Sequence, residues 1–387
     1  MIIKPRVKDY LCLTAHPEGC KKNVEDQIAY VKDQGEIPGD AKKVLVIGCS
    51  TGYGLASRIV AAFGCHADTL GIMFERPSNG RKTASPGWYN TASFEQFANE
   101  EGVYAKTING DAFSKEIKNL TIETIKKDLG KVDLVVYSLA APRRTTPDGV
   151  TYRSVLKTTG EEFTNKNLNL KDNSIGMKSI PAATEEEVEA TVKVMGGEDW
   201  KLWMQALKDA DVLSEDASTV AYSYIGSELT YPIYFEGTIG AAKKHLHQTA
   251  DEITKEVGVK ALISVNKGLV TQASAAIPIV PLYMSVLYKV MKENNVHEGC
   301  IEQIERLFKE KRLLADTITD EHGWVRMDDL QDEVKKRWEE INTDNVSELA
   351  DVDGYWEDFY RMFGFKEEGI DYEAETDPVV EIPSIKE

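Results

Sequence analysis

The glycine-rich turn at 48–54 is the feature that most constrains how this chain folds. It follows an apolar run at 44–47 and leads into an amphipathic segment at 55–63, which predicts a strand, a tight turn and a helix in succession. Such a turn lets backbone N–H groups and the positive end of the helix dipole approach a pyrophosphate. We therefore predict the first unit of a dinucleotide-binding fold; an ordinary strand-to-helix turn is the alternative reading.

The spacing of the glycines refines this prediction. Gly48, Gly52 and Gly54 form the pattern G-x-x-x-G-x-G instead of G-x-G-x-x-G. That variant is typical of the short-chain dehydrogenase/reductase type of Rossmann fold, and it favours nucleotide binding over a purely structural turn.

Strand and helix patterns alternate along most of the chain, which predicts an α/β fold with a doubly wound parallel sheet. Strands are predicted at 43–47, 68–74, 103–108, 132–138, 218–225 and 259–265, and helices at 55–63, 91–101, 114–129, 238–256, 299–314, 327–341 and 346–363. We expect one domain over 1–387, with a leading segment at 1–40, an insertion at 142–217 holding one clear helix, and C-terminal helices with an acidic tail at 297–387.

Charge and cysteine usage exclude several classes of function. The chain has 46 basic and 64 acidic residues, a formal net charge of −18, so we expect neither nucleic acid nor anionic membrane as a partner. The amino terminus has no apolar core followed by a small-residue cleavage site, and we expect a cytoplasmic protein. The five cysteines form no C-x-x-C pair, and Cys12, His16 and Cys20 lack the spacing of a zinc motif. We therefore expect reduced thiols and no metal.

One uncharged segment is long enough to resemble a membrane span. It runs for 21 residues from Gly268 to Tyr288 and contains Pro278 and Pro281 together with several hydroxyl and amide side chains. We interpret it as a buried loop and helix.

Residues that end the predicted strands are candidates for holding the cofactor. Glu75 closes the second strand 21 residues after Gly54, where a carboxylate binds adenosine ribose hydroxyls and repels a 2′-phosphate. This favours NAD over NADP, although the neighbouring Arg76 offers a guanidinium that would suit a phosphate. Asp111 with Ala112 and Ser138-Leu-Ala140 close the third and fourth strands, at the edge where a dinucleotide is expected.

Two tyrosine–lysine pairs are candidates for proton transfer. The only Tyr-x-x-x-Lys pair, Tyr288 with Lys292, lies beyond the last predicted strand and is better explained as an exposed helix pair. Tyr234 and Lys243 follow the fifth strand, but nine residues of helix would turn them to opposite faces. They converge only if Tyr234 precedes the helix, and Gly237-Thr238 offers such a break and an N-cap. Tyr224 lies on the preceding strand and is placed to face the same cavity.

The pair at Tyr234 and Lys243, spaced Tyr-x₈-Lys, resembles the FabV-type enoyl reductases, also called the trans-2-enoyl-CoA reductase family. The similarity extends over essentially the whole chain. It includes Ile3-Lys-Pro-Arg-Val7, Thr14-Ala-His-Pro17, the turn at 48–54, Phe74-Glu-Arg-Pro77, Asn109-Gly-Asp-Ala-Phe113, Tyr137-Ser-Leu-Ala-Ala-Pro-Arg-Arg144, Met195-Gly-Gly-Glu-Asp-Trp200, Val270-Thr-Gln-Ala-Ser274 and His297-Glu-Gly-Cys-Ile-Glu-Gln303.

This resemblance implies reduction of the C2–C3 double bond of a trans-2-enoyl thioester by NADH. It implies Tyr234 as proton donor and Tyr224 as a substrate contact, with Lys243 both binding the cofactor and lowering the pKa of the phenol. The implied NAD contacts are Gly48, Cys49, Ser50, Thr51, Gly52, Tyr53, Phe74, Glu75, Asp111, Ala112, Leu139, Ala140, Lys243, Gly268, Leu269 and Val270. A monomer is also implied, with 1–40 folded over the cofactor site.

The residues leave some alternatives open. A carbonyl reductase of 3-oxoacyl thioesters would use the same cofactor site and a Tyr/Lys pair, and an NAD-sensing binding protein would need only the turn and Glu75. Coenzyme A and acyl carrier protein both present a phosphopantetheine arm. The charge of −18 favours CoA, since it would repel an acidic carrier protein. Arg143 and Arg144 are either ligands of CoA phosphates or an exposed loop pair.

Overall fold

A six-stranded parallel sheet forms the centre of the molecule in the computed structural model, which describes residues 1–8, 11–39, 41–271, 274, 277–310 and 327–385. Its strands are β3 Lys43–Ile47, β4 Asp68–Met73, β5 Ala105–Asn109, β6 Val132–Tyr137, β11 Leu213–Ser223 and β12 Lys260–Val265. They lie in the order β5-β4-β3-β6-β11-β12, with every neighbouring pair parallel. The chain order reverses between β3 and β6, so the predicted Rossmann-type doubly wound sheet is confirmed.

Helices cover both faces of this sheet. They are α2 Gly52–Ile59, α3 Pro86–Glu100, α4 Lys115–Thr124, α6 Glu198–Asp209 and α7 Thr238–Glu252, and α2, α4 and α7 each end in one π-helical turn. Along β3, Val44 and Val46 enter one hydrophobic core while Leu45 and Ile47 enter the other. Burial on both faces explains why the strand sequences are continuously apolar instead of alternating.

The region predicted as an insertion contains more regular structure than its sequence pattern indicates. It holds the antiparallel pairs β7 Arg143–Thr145 with β8 Thr151–Arg153 and β9 Phe163–Leu168 with β10 Ile175–Ile180, followed by α5 Glu185–Met195. Helix α6 packs on the central sheet, because Trp200, Trp203 and Leu207 are fully buried in the core shared with β6 and β11. Residues 198–212 therefore form the last part of the crossover from β6 into β11.

The two ends of the chain pack against the same side of the body. The N-terminal elements are β1 Val7–Lys8, β2 Leu11–Cys12 and α1 Pro17–Asp33. The C-terminal elements are α8 Val280–Glu293, α9 Cys300–Lys309, α10 Met327–Glu340, α11 Val346–Leu349 and α12 Val352–Arg361. The tail has no regular structure but is docked: Trp88 and Tyr89 on α3 donate to the carbonyls of Val380 and Pro378, and Ile382 is 1% exposed.

Two helices differ from the sequence prediction. Helix α3 begins at Pro86 instead of 91, because proline suits the first helical position. The helix predicted at 346–363 is interrupted at Asp351, whose side chain caps α12 by accepting from the Gly354 N–H. Of the helix predicted at 299–314, residues 311–314 lie outside the described part of the chain. No helix among the described residues is long and apolar enough to cross a bilayer.

Candidate active site

The predicted cofactor residues lie along one edge of the sheet. Gly48 follows β3, Glu75 follows β4, Asp111 follows β5, Leu139 follows β6 and Gly268 follows β12. Because the strands are parallel, all of these positions are at carboxyl ends. The edge includes the β3/β6 switch point, where open α/β sheets bind their ligands.

The glycine turn is closely packed against the end of β6. Gly48 has a φ of 86°, and a Cβ there would lie 2.8 Å from the Ser138 carbonyl carbon. Gly52 begins α2 with a φ of 53°, and nothing lies within 4 Å of where its Cβ would be. Thr51 occupies the N-cap without making a side-chain cap hydrogen bond. The N-terminus of α2 therefore carries no side-chain cap, which suits an anion such as a pyrophosphate.

The remaining side chains of this turn have separate roles. Cys49 is fully buried, and burial raises the pKa of its thiol to about 11, so its backbone is the part available to a ligand. The Ser50 hydroxyl donates to Glu75 Oε1 at 2.6 Å. The Tyr53 hydroxyl donates to the Lys267 carbonyl at 2.9 Å, which ties the turn to the segment after β12.

A buried charged network supports the segment at Asp111 and Ala112. The Ala112 carbonyl accepts from Lys118 Nζ at 2.9 Å and from Trp203 Nε1 at 3.1 Å. Lys118 Nζ also donates to Asp199 Oδ1 at 2.8 Å, and Asp199 is 1% exposed. Burial lowers the pKa of Lys118 and raises that of Asp199. The sequence analysis missed this network, since its members are far apart in the chain.

Arg144 belongs to the same interior. It is 2% exposed and donates to Glu198 Oε2 and to the Lys193 carbonyl, each at 2.7 Å. Neither expectation for Arg144, an exposed loop residue or a ligand of CoA phosphates, is correct, because its guanidinium faces the protein core. Arg143 remains exposed.

Tyr224 and Tyr234 come together beyond the carboxyl end of β11. Their ring centroids are 4.7 Å apart, and the rings meet edge to face at 87°. A Cβ on Gly268 would lie 2.8 Å from the Tyr224 hydroxyl, so the Tyr224 phenol reaches the segment that follows β12. Tyr234 is 5% exposed, and burial raises its pKa.

Lys243 lies on helix α7. The helix begins at Thr238 with Gly237 as its N-cap, so Tyr234 precedes it as the break at Gly237 predicted. Lys243 Nζ donates to the Tyr222 carbonyl at 3.1 Å, and burial lowers its pKa to about 8. The expected lowering of the Tyr234 pKa by Lys243 is not found, because the dominant influence on that phenol is desolvation.

Two polar groups that the sequence analysis missed lie at the same edge. Within the described residues, Ser223 Oγ and Asn266 Nδ2 are buried without a hydrogen-bond partner, at the ends of β11 and β12. Buried polar atoms are nearly always paired, so these two fit a polar ligand at this edge. A polar residue that closes an otherwise apolar strand is the signal that could have identified them.

Tyr288 is not the exposed residue that its sequence position indicated. It is fully buried, and its hydroxyl accepts from the Val270 N–H at 3.0 Å and forms a side-chain hydrogen bond with Asp358. Its partner in the sequence motif, Lys292, forms an ion pair with Asp351 at 2.6 Å. Tyr288 therefore anchors the segment 268–270 that follows β12, and Lys292 is engaged elsewhere, so the two do not act as a catalytic pair. No cluster of histidine, cysteine and acidic residues that could hold a metal occurs in the described ranges.

A glycine turn lies at the switch point of this doubly wound sheet, and a phenol and an ammonium follow β11. These features define a dinucleotide-dependent reductase of the short-chain type. Comparison with family models narrows this class. Residues 2–80 match the NAD(P)H binding domain of trans-2-enoyl-CoA reductase, and residues 82–313 match the trans-2-enoyl-CoA reductase catalytic region. The chain belongs to the trans-2-enoyl-CoA reductase family, as the resemblance in its motifs indicated.

Individual relatives align over the full length. The chain is 55% identical over 397 residues to an enoyl-[acyl-carrier-protein] reductase [NADH] of Flavobacterium johnsoniae, covering 100% of both chains. It is 53% identical over 395 residues to a trans-2-enoyl-CoA reductase [NADH] of Ruminiclostridium cellulolyticum, again covering 100% of both. A crystal structure of Treponema denticola trans-2-enoyl-CoA reductase in complex with NAD superimposes with a TM-score of 0.94 at 47% identity, covering 99% of this chain and 100% of that one.

A third family model describes residues 319–376 as an enoyl reductase FAD binding domain. The described part of this range does not fit a flavin. Its helices bury Trp338, Tyr355 and Phe359 in the hydrophobic core. At Gly364 a Cβ would lie 2.5 Å from the Cys20 backbone nitrogen, so helix α1 fills the space beside that glycine. We therefore assign no flavin chemistry to these residues.

Proposed function

We propose that this protein uses NADH to reduce the C2–C3 double bond of trans-2-enoyl thioesters, giving acyl thioesters in fatty acid metabolism. The observation that carries the proposal is the contact between Tyr224 and Tyr234 beside Gly268, at the carboxyl ends of β11 and β12. A proton donor is needed where a hydride acceptor lies next to a dinucleotide, and this is the edge that such a ligand occupies. The relatives named as NADH-dependent enoyl reductases support the same chemistry.

The cofactor is held by backbone groups and a few side chains in this proposal. The N-terminus of α2 and the turn at 48–53 take the pyrophosphate, and Glu75 takes the adenosine ribose. The other contacts are Phe74, Asp111, Ala112, Leu139, Ala140, Lys243, Gly268, Leu269 and Val270. The unpartnered Ser223 Oγ and Asn266 Nδ2 support a polar ligand near the last two strands.

The catalytic step depends on one phenol. Bound NADH supplies a hydride to C3 of the enoyl thioester, and negative charge develops on the thioester oxygen. Tyr234 donates a hydrogen bond to that oxygen and supplies a proton, directly or through water, which ends on C2 to give the acyl thioester, and the phenol regains its proton from water. Because burial raises its pKa, Tyr234 is protonated at neutral pH and can donate a hydrogen bond to that oxygen. Tyr224 orients the thioester.

Lys243 acts on the cofactor rather than on the phenol. Its ammonium is anchored on the Tyr222 carbonyl, from which it can reach ribose hydroxyls. With a pKa lowered to about 8, it is still charged at neutral pH and loses its charge under mildly alkaline conditions.

Coenzyme A is the proposed acyl carrier. A net charge of −18 disfavours contact with an acidic carrier protein. The names of the two relatives differ on this point, one specifying acyl carrier protein and the other CoA. The protein is also proposed to act in the cytoplasm, and its five free cysteines support a reducing compartment. It is further proposed to act as a monomer, which sedimentation velocity would test by showing a single species of one chain's mass.

Turnover with paired substrates tests the reaction. Purified protein should oxidise NADH with crotonyl-CoA and not with acetoacetyl-CoA; the reverse result would identify a carbonyl reductase. Tight NADH binding in a fluorescence titration, with no turnover on any enoyl thioester, would identify a binding protein. One enoyl chain presented on CoA and on acyl carrier protein then decides the carrier, and a higher kcat/KM on acyl carrier protein would contradict our choice.

A further inference from the structure

Glu75 is held in place from three directions. Ser50 Oγ, in the glycine turn, donates to its carboxylate at 2.6 Å. Its backbone N–H donates to Asn109 Oδ1 at 2.8 Å, and Asn109 Nδ2 donates to its carbonyl at 2.9 Å. Both the main chain and the carboxylate of this residue are therefore fixed by the ends of the neighbouring strands.

The third direction is occupied by Gly87, the second residue of α3. A Cβ at this position would lie 2.5 Å from Glu75 Cδ and 2.8 Å from Ser50 Cβ, both too close for unmoved atoms. Gly87 does not have a positive φ, so its backbone does not require glycine. Alanine is also the better helix former. What glycine provides here is space, and the Glu75 carboxylate fills it.

The surroundings of Gly87 suit a carboxylate. The N-cap residue Ser85 makes no side-chain cap hydrogen bond, and the first turn of α3 contains no acidic residue of its own. The positive end of the helix dipole is therefore available to the Glu75 carboxylate, which lies against that turn.

We propose that Gly87 is a positioning residue that determines cofactor specificity, because the space it leaves lets the Glu75 carboxylate take the orientation that favours NADH over NADPH. This inference rests on the proposed function, in which Glu75 meets the adenosine ribose and repels a 2′-phosphate. In Gly87→Ala the new methyl group displaces the carboxylate, which is the movable end of a side chain, and separates it from Ser50.

Equilibrium binding tests the inference without relying on turnover. Dissociation constants for NADH and NADPH are measured by fluorescence titration for the wild type, Gly87→Ala, Glu75→Gln and the double variant. Gly176→Ala is the matched control, since nothing lies within 4 Å of a Cβ there. The preference for NADH is the ratio of the NADPH dissociation constant to the NADH dissociation constant. We expect Gly87→Ala to lower this ratio by about tenfold and Gly176→Ala to leave it unchanged. The double variant should have the same ratio as Glu75→Gln alone.

The outcomes distinguish the role of Glu75 from that of Gly87. If Glu75→Gln does not narrow the preference, the proposed role of Glu75 is wrong. If Glu75→Gln narrows it and Gly87→Ala does not, or if the two changes add in the double variant, positioning by Gly87 is refuted. Should Gly87→Ala not yield folded protein, Glu75→Asp keeps the charge but withdraws the carboxylate from the space beside Gly87; a narrowed preference for NADH then supports the inference and an unchanged one overturns it.

Discussion

Tyr234→Phe removes one oxygen atom from a side chain that is 5% exposed and whose ring packs edge to face on Tyr224 at 4.7 Å. Phenylalanine keeps the ring and this contact, so the turn should keep its shape. A hydrogen bond to an oxygen that gains charge in the transition state is worth about 100- to 1000-fold in kcat, or about 2.7–4 kcal/mol. We therefore expect kcat to fall by that factor while the dissociation constant for NADH is unchanged.

The assay follows the loss of NADH absorbance with crotonyl-CoA under saturating conditions, alongside a fluorescence titration of NADH binding. Tyr231→Phe is the matched control, since Tyr231 is half-buried, lies in the same turn and packs its ring on Phe235. Turnover by Tyr234→Phe within a few-fold of the wild type would refute the assignment of Tyr234 as proton donor. Because burial raises the pKa of Tyr234, we also expect no loss of kcat from its deprotonation until the pH exceeds its ordinary value of about 10.

Three further perturbations follow from the structure. Lys243→Met should weaken NADH binding about 10- to 100-fold. In NADH titrations of the wild type at several pH values, the affinity should fall as the pH rises through about 8, because Lys243 loses its charge there. Tyr288→Phe leaves the buried Val270 N–H without its acceptor, and at a cost of about 1–3 kcal/mol it should weaken NADH binding about 5- to 150-fold with a smaller change in kcat. Asp199→Ala leaves the buried Lys118 ammonium without its partner and should cost about 3–5 kcal/mol of stability in urea unfolding.

Each of these predictions has a control in the same chain. In Lys243→Met, NADH affinity should no longer vary through pH 8, and a persistent pH dependence would contradict the assignment. Tyr89→Phe removes another buried phenol oxygen that accepts a backbone N–H, from Ala84 at 2.9 Å, and should leave NADH affinity intact. Asp209→Ala changes an exposed carboxylate on the same helix as Asp199 and should alter stability by no more than about 0.5 kcal/mol.

The central sheet could be predicted because each of its strands is buried on both faces. That burial produces continuous apolar runs such as the one at 44–47, and the glycine turn marks where the first helix must begin. The hairpins between 143 and 180 have no such signal. Their strands are mostly exposed or half-buried, so their sequences are polar and show no clean period.

The candidate cofactor residues at strand ends were easier to place than the residues that support them. Strand ends can be located from local pattern, and that alone places Glu75 and Asp111 at one edge. The supporting contacts join distant parts of the chain: Lys118 meets Asp199 across 81 positions, and Tyr53 meets Lys267 across 214. A single sequence carries no periodicity that links such residues, and for the same reason Tyr288 was mistaken for an exposed residue.

The protonation states at the site have one physical origin. Desolvation raises the pKa of Tyr234 and lowers that of Lys243, since burial disfavours both the phenolate and the ammonium. The pKa values of the two groups are therefore set by the surrounding protein rather than by each other. It follows that Lys243→Met should leave the pH dependence of kcat at saturating NADH unchanged. If Lys243 instead lowered the pKa of Tyr234, its removal would shift the alkaline limb of that profile, and the assignment of Lys243 to the cofactor alone would be wrong.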